Sequence, residues 1–232
     1  MSQRQILFLD ADDTLWENNI YFERAIERFY DLLTPACSDR IAVRAEINRQ
    51  ERRVITEIGY GLATFRLALE RACEQIAPQA WSPETAEAIG VLAGAIAGEP
   101  IQFLPGALET LQYLASRHRL ILLTKGDYAE QTHKVALSGI APLFEQVHVL
   151  PEKNRTAYEV RLRALAVAPA CCWMIGNSPK SDINPALAAG MNAVLIPHPH
   201  TWVLEHEAIV QDCAPGCRCL TIERLADLRA LF

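Results

Sequence analysis

Asp10, Asp12 and Asp13 put three carboxylates into four residues, directly behind the apolar run Ile6-Leu7-Phe8-Leu9. Carboxylates this close repel one another and are costly at the end of a buried strand. A bound cation relieves that cost. A hard ion such as magnesium (Mg2+) takes oxygen ligands of this kind and leaves positions for water and a substrate phosphate. Three further stretches carry complementary groups. Leu122-Leu123-Thr124-Lys125-Gly126 offers a hydroxyl, an ammonium and backbone amides, all donors to a phosphate. Lys153, in Pro151-Glu152-Lys153, is a compact positive charge suited to lowering a carboxylate pKa and holding a phosphoryl oxygen. Gly176-Asn177-Ser178-Pro179-Lys180-Ser181-Asp182 allows a sharp turn, with Asn177 and Asp182 presenting oxygens to a cation. Singly, each stretch also fits an ordinary structural element: an acidic turn that caps a helix, a surface lysine, a capped loop.

The elements around these residues bring them together. Four unbroken apolar residues before Asp10 suit a strand buried on both faces of a parallel sheet. From Pro100 onward the pattern alternates. Helices are expected at Gly106 to Arg117, Tyr128 to Ser138, Thr156 to Ala166, Ile183 to Ala189 and Ile222 to Leu231. Strands are expected at Arg119 to Leu123, Gln146 to Leu150, Cys172 to Ile175 and Ala193 to Ile196. Strands separated by helices imply right-handed parallel crossovers and a doubly wound α/β sheet. Ligands of such sheets bind beyond the carboxyl ends of the strands, where all four stretches fall. Tyr21 to Gly98 interrupts the scheme. It is rich in Ala, Glu, Arg, Leu and Ile at helical spacings, broken at Thr34-Pro35, Gly59-Tyr60-Gly61, Ala77-Pro78 and Ser82-Pro83. The expected organisation is a core of residues 1–16 and 100–232 with a helical domain, 17–99, inserted after the first strand.

The order of the four stretches, each after a strand, resembles the haloacid dehalogenase-like (HAD) hydrolase superfamily, and within it the phosphatase branch with a helical (C1-type) cap. Asp10-Ala11-Asp12-Asp13-Thr14 is similar to the first motif, Thr124 to the second, Lys153 to the third, and Gly176 through Asp182 to the fourth. The resemblance implies a Rossmann-like core and a magnesium-dependent phosphomonoesterase acting on a small phosphorylated metabolite. In it Asp10 is the nucleophile that forms an aspartyl-phosphate. Asp12 protonates the leaving alcohol and then activates water. Thr124 and Lys153 are catalytic groups that bind the phosphoryl, with Lys125 beside them. Mg2+ is held by Asp10, the Asp12 carbonyl and the fourth-motif residues Asn177 and Asp182. Arg49, Arg52 and Arg53, a basic cluster on one cap helix, are candidate substrate contacts, although pairing with Glu46, Glu51 and Glu57 is the commoner use of such residues.

Two positions depart from the family pattern. The fourth motif begins Gly-Asn rather than Gly-Asp, which removes a negative charge and shifts the metal contact toward Asp182. Asp13 stands where the family has Gly. Asp12 itself favours phosphoryl transfer, because dehalogenases of this superfamily typically lack an acid there. Phosphonate cleavage needs a cap lysine, and Ile20 to Gly98 has none. A phosphate-transferring mutase and a catalytically weak binding or regulatory homologue are the alternatives.

Composition sets the remaining bounds. Of 232 residues, half are apolar and 22% charged, enough for a substantial core and too few charges for wholesale disorder. A net charge of −6 argues against nonspecific binding to nucleic acid or an anionic membrane. No secretory signal or membrane-spanning run is evident, so a cytoplasmic monomer or homodimer is expected. The seven cysteines, with no such signal, do not read as a disulfide framework. His198, His200 and His206 lack the spacing of a zinc site and are expected in a loop that packs Trp202. Cys213, Cys217 and Cys219 lack a second pair and read as thiols.

Overall fold

The computed structural model of the protein describes residues 4–210 and 216–232, so Cys213 lies outside the described residues. The chain divides into two compact units, residues 1–17 with 101–232, and residues 18–100.

The first unit is built on a six-stranded, fully parallel sheet: β1 (Ile6–Leu9), β2 (Arg119–Lys125), β3 (Gln146–Leu150), β4 (Cys172–Gly176), β5 (Asn192–Leu195) and β6 (Cys219–Thr221). The order is β3-β2-β1-β4-β5-β6. The chain runs outward from β1 in one direction, then returns to lay β4 on the other side. The switch point of the doubly wound sheet therefore falls between β1 and β4, the place where sheets of this kind receive their ligands. Side-chain alternation divides the strands between two cores. Leu7, Leu9, Leu120, Leu122, Trp173 and Ile175 pack on one face with α5 (Ala107–Ala115), α6 (Tyr128–Ser138) and α9 (Leu228–Leu231). Ile6, Phe8, Ile121, Leu123, Cys172 and Met174 pack on the other with α7 (Arg155–Leu165) and α8 (Asn184–Ala188). Burial on both faces is why β1 has no polar residue in it. Each of its four side chains contributes about 1.5–3 kcal/mol through burial.

Local signals start and stop the helices that approach the crevice. Asp127 caps α6 by accepting from the Glu130 N–H at 2.9 Å, and Gly139 ends the helix in the left-handed conformation, φ 69°. Asn154 caps α7 by accepting from the Ala157 N–H at 2.9 Å. The segment between β4 and α8 is a wide turn, Pro179–Ile183, in which the N–H groups of Asp182 and Ile183 both reach the Ser178 carbonyl. Pro179 brings no N–H to it, and such π-type turns recur at functional sites.

The C-terminus differs from expectation. Cys219–Thr221 forms an edge strand where no element is expected, and the helix expected over Ile222 to Leu231 is instead a 3-10 turn, Leu225–Asp227, followed by the single turn of α9. Asp227 accepts from the Arg224 N–H at 3.1 Å, which starts the helical segment there. A three-residue strand is too short to show a period of two.

The second unit is all helical: α1 (Asn19–Leu33), α2 (Arg40–Ile58), α3 (Leu62–Ile76) and α4 (Pro83–Ala95). Phe29, Leu33, Ile47, Leu69 and Ile89 form its own core. No helix among the described residues is long and apolar enough to cross a membrane.

Candidate active site

β1 ends at Asp10, whose N–H continues the parallel ladder by donating to the Ile175 carbonyl at 2.9 Å. The carboxylate of Asp10 is therefore set beside Gly176 at the switch point. It is 6% exposed. The next residues curl tightly, with the Leu15 N–H returning to the Ala11 carbonyl at 2.8 Å. That curl needs a left-handed residue, and Asp13 supplies it at φ 58°. Glycine meets this demand without strain, and aspartate is among the few residues that tolerate it. Thr14 is folded back so that its hydroxyl donates to Asp10 Oδ2 at 2.9 Å and accepts from the Asn177 N–H at 3.1 Å.

Lys153 completes the centre. It follows β3, is buried, and its ammonium donates to Asp10 Oδ1 and to Asp182 Oδ1, the latter at 2.8 Å. Burial works against its charge, but Asp10 and Asp182 outweigh burial and raise its pKa above the usual lysine value. Asp182 Oδ2 accepts from the Ser178 N–H at 3.0 Å. Burial, with Asp10 nearby, pushes the Asp182 carboxyl up to about 7 despite Lys153. Gly176 makes room for this acid: a Cβ there would stand 2.2 Å from Asp182 Oδ2. Asp10, Asp182, the Asn177 amide oxygen and the Asp12 carbonyl are hard oxygen donors, and two of the four are acids crowded around one lysine. As hard oxygens, this donor set fits a magnesium-sized cation.

Asp12 points to different partners. Trp16 Nε1 donates to its Oδ1 at 2.7 Å, Gln131 Nε2 to its Oδ2 at 2.8 Å, and Lys134 Nζ to both oxygens at 2.8 and 2.7 Å. Burial would raise its pKa, but Lys134 and the hydrogen bonds prevail and hold it below the usual carboxylate range. Thr124, at the end of β2, is buried and donates to Gln131 Oε1 at 3.2 Å. The structure thus gathers Asp10, Lys153 and Asp182 into one ion-paired cluster, with Asn177 tied in through Thr14. It joins Asp12 to Thr124 through Gln131.

Lys125 is engaged elsewhere. Its ammonium donates to Ser181 Oγ at 2.8 Å and Glu205 Oε1 at 2.7 Å, with Glu152 at 3.5 Å. Glu205 also accepts from Ser178 Oγ at 2.6 Å. Burial acts to raise the Glu205 carboxyl, yet Lys125 and the serine hydroxyls bring it down to about 2. Arg49, Arg52 and Arg53 lie on α2 of the helical unit, exposed to solvent, with Arg49 paired to Glu46.

The histidines form no three-histidine cluster among the described residues. His198 instead meets Asp13 and Glu17, at 3.8 Å and 3.4 Å, and accepts from the His200 N–H at 3.3 Å. Cys217 is half-buried and Cys219, on β6, is exposed.

Gln131, Lys134, Glu205 and Tyr158 were not anticipated from the sequence. Tyr158 donates its hydroxyl to the Ser181 carbonyl at 2.9 Å and braces the turn that carries Asp182. One signal existed for the first two: Gln131 and Lys134 stand three apart in the first turns after the Thr124 strand end, so they share a helix face.

Residues 5–190 match the haloacid dehalogenase-like hydrolase family. That is most of the chain, and the protein belongs to this family. Among solved structures it is similar to a haloacid dehalogenase-like family hydrolase from Xanthomonas campestris, with 24% identity over 98% of this chain and 90% of that one and a TM-score of 0.84. It is also similar to the HAD-hydrolase YfnB from Bacillus subtilis bound to magnesium, with 14% identity over 99% of each chain and a TM-score of 0.68. The L-2-haloacid dehalogenase from Xanthobacter autotrophicus aligns with 17% identity over 99% of this chain and 98% of that one, at a TM-score of 0.66. At such identities the likeness is one of fold. No curated protein matches the sequence significantly.

Proposed function

We propose that the protein is a phosphomonoesterase that hydrolyses a small phosphorylated metabolite through a phosphoaspartate on Asp10. The observation that carries this reading is Asp12. A second carboxylate, hydrogen-bonded on both oxygens and linked through Gln131 to Thr124, gives the site a proton-transfer group that halide displacement does not need. In this reading an Asp10 oxygen attacks phosphorus while the bond to the leaving alcohol breaks. Lys153 and Thr124 hold the phosphoryl oxygens. Water then attacks phosphorus and gives a proton to Asp12 as the bond from phosphorus to Asp10 breaks, releasing phosphate and restoring the Asp10 carboxylate. A hard cation such as Mg2+, held by Asp10, the Asp12 carbonyl, Asn177 and Asp182, supplies charge that lets a carboxylate approach a phosphate dianion. The resting Asp12–Lys134 pair keeps Asp12 ionised, as the base step requires, although one donor must move aside before Asp12 takes the proton from water. Protonation of an alkoxide requires that pair to part, whereas a leaving group stable as an anion does not. Arg49, Arg52 and Arg53 enter the reading as candidate contacts to the metabolite.

A second reading, hydrolysis of a 2-haloacid by the same Asp10, is favoured by two observations. Asn177 carries no charge where the family often has an acid, and Lys134 already neutralises Asp12. One experiment separates the two: release of phosphate from an aryl phosphate with Mg2+ or with EDTA, beside release of chloride from 2-chloropropionate, for the wild type and Asp10→Asn. Metal-dependent phosphate release that vanishes in Asp10→Asn is the expected result. Chloride release without phosphate release refutes the proposal.

A further inference from the structure

We propose that Lys134 and Gln131 are positioning residues, a clamp on α6 that sets the Asp12 carboxylate for proton transfer. A carboxylate has about four lone-pair sites, two on each oxygen. All four are addressed here: Oδ1 by Trp16 and Lys134, Oδ2 by Gln131 and Lys134. Donors on both oxygens from three directions leave the Asp12 torsions no free rotation.

The clamp is anchored at each side. Trp16 is buried and meets the Phe103 ring edge to face, with centroids 6.1 Å apart, so its indole N–H is a fixed point. Gln131 is oriented by its second hydrogen bond, the one accepted from Thr124, which settles which end of its amide faces Asp12. α6 is held by the Asp127 cap and by Val135 in the core.

The backbone has also made space for Gln131. Gly126 has φ 150°, and a Cβ there would stand 3.0 Å from Gln131 Cγ and Nε2. A side chain at 126 would displace the glutamine and with it one quarter of the clamp. Thr124, Gly126, Gln131 and Lys134 thus act together: the strand end and the helix after it deliver the second aspartate of a different loop.

The kinetic consequence rests on the phosphatase reading; the geometry of the clamp does not. The test therefore has two arms. The Trp16 indole ¹H–¹⁵N resonance, assigned by its loss in Trp16→Phe, reports the hydrogen bond to Asp12. Phosphate release from an aryl phosphate reports turnover. In Lys134→Met the resonance should move as it does in Asp12→Asn. There kcat should fall ~10- to 100-fold with KM within about twofold, the loss expected when a proton-transfer group is misplaced. Lys134→Arg should recover most of kcat. Gln131→Leu, which keeps the charge pair, should give the same signs at smaller size and serves if Lys134→Met does not fold.

An unmoved Trp16 resonance overturns the clamp. A moved resonance with kcat within about twofold of wild type overturns the positioning role and leaves only a structural ion pair. A loss confined to KM, or no recovery with arginine, does the same. If the wild type releases no phosphate, the phosphatase reading fails together with the kinetic role, and the resonance alone decides the geometry.

Discussion

Replacing Glu205 by glutamine removes the charge that pairs with Lys125 but keeps the size of the side chain and an acceptor for Ser178. Glu205 is 8% exposed, so solvent screening discounts its interactions little. Burial opposes its ionisation, and Lys125, Ser178 and Ser181 more than reverse this, taking the carboxyl from 4.5 to about 2. A folded-state pKa below the unfolded one stabilises the fold above pH 4.5, and that stability is lost as the pH falls toward 2. The difference is worth ~3 kcal/mol at pH 7 and ~1.4 kcal/mol at pH 3. Urea denaturation of wild type and Glu205→Gln should therefore show a gap of about 3 kcal/mol at neutral pH that narrows by roughly half at pH 3. Other acids titrate over the same range in both proteins, so the gap isolates Glu205. A gap that stays constant with pH refutes the electrostatic account. A gap below about 0.5 kcal/mol at pH 7 places the pair with ordinary surface ion pairs.

Gly176→Ala should cost ~1–3 kcal/mol through overpacking against Asp182 and weaken Mg2+ affinity, measurable by thermal unfolding and calorimetric titration; a variant with both unchanged would contradict the contact. Asn177→Asp should tighten Mg2+, again by titration, and an unchanged affinity would mean that Asn177 is not near the cation. Asp13→Gly should be ~1–2 kcal/mol more stable than Asp13→Ala, since only the alanine retains the left-handed strain; equal stabilities would remove strain as the reason for glycine at this place.

Much of the fold was legible because its signals are local. Tyr128–Ser138 and Gln146–Leu150 occupy the expected limits, the first between an Asp cap and a following glycine. The apolar run of β1 announced burial on both faces, and the insertion was visible as a change of period. β6 escaped because three residues carry no periodicity, and the turn at Pro179–Ile183 because its hydrogen bonds depend on where Ser178 is held. The strand-end residues were visible by type, and the partners that orient them were not. Lys125 looks like a phosphate donor until Glu205, 80 residues away, is brought to it. Lys134 looks like a helix-surface lysine until Asp12 reaches it across 122 positions. Helix and strand periods say which face a residue occupies, but not what will face it.

The insertion point has its own consequence. Trp16 and Phe103 form an antiparallel bridge, the Glu17 N–H reaches the Gln102 carbonyl at 2.9 Å, and the Leu104 N–H reaches the Leu15 carbonyl at 2.9 Å. The chain leaves the core at residue 17 and returns at residue 101 one strand spacing away, about 5 Å. To the core, everything from 18 to 100 is a hairpin loop. Its length costs little in closure entropy, which grows only logarithmically. A short turn in its place would satisfy the same two strands, and so would a larger domain. The ladder at the neck makes the insertion a replaceable module, one that can change in length and sequence without altering the core's own strand ends.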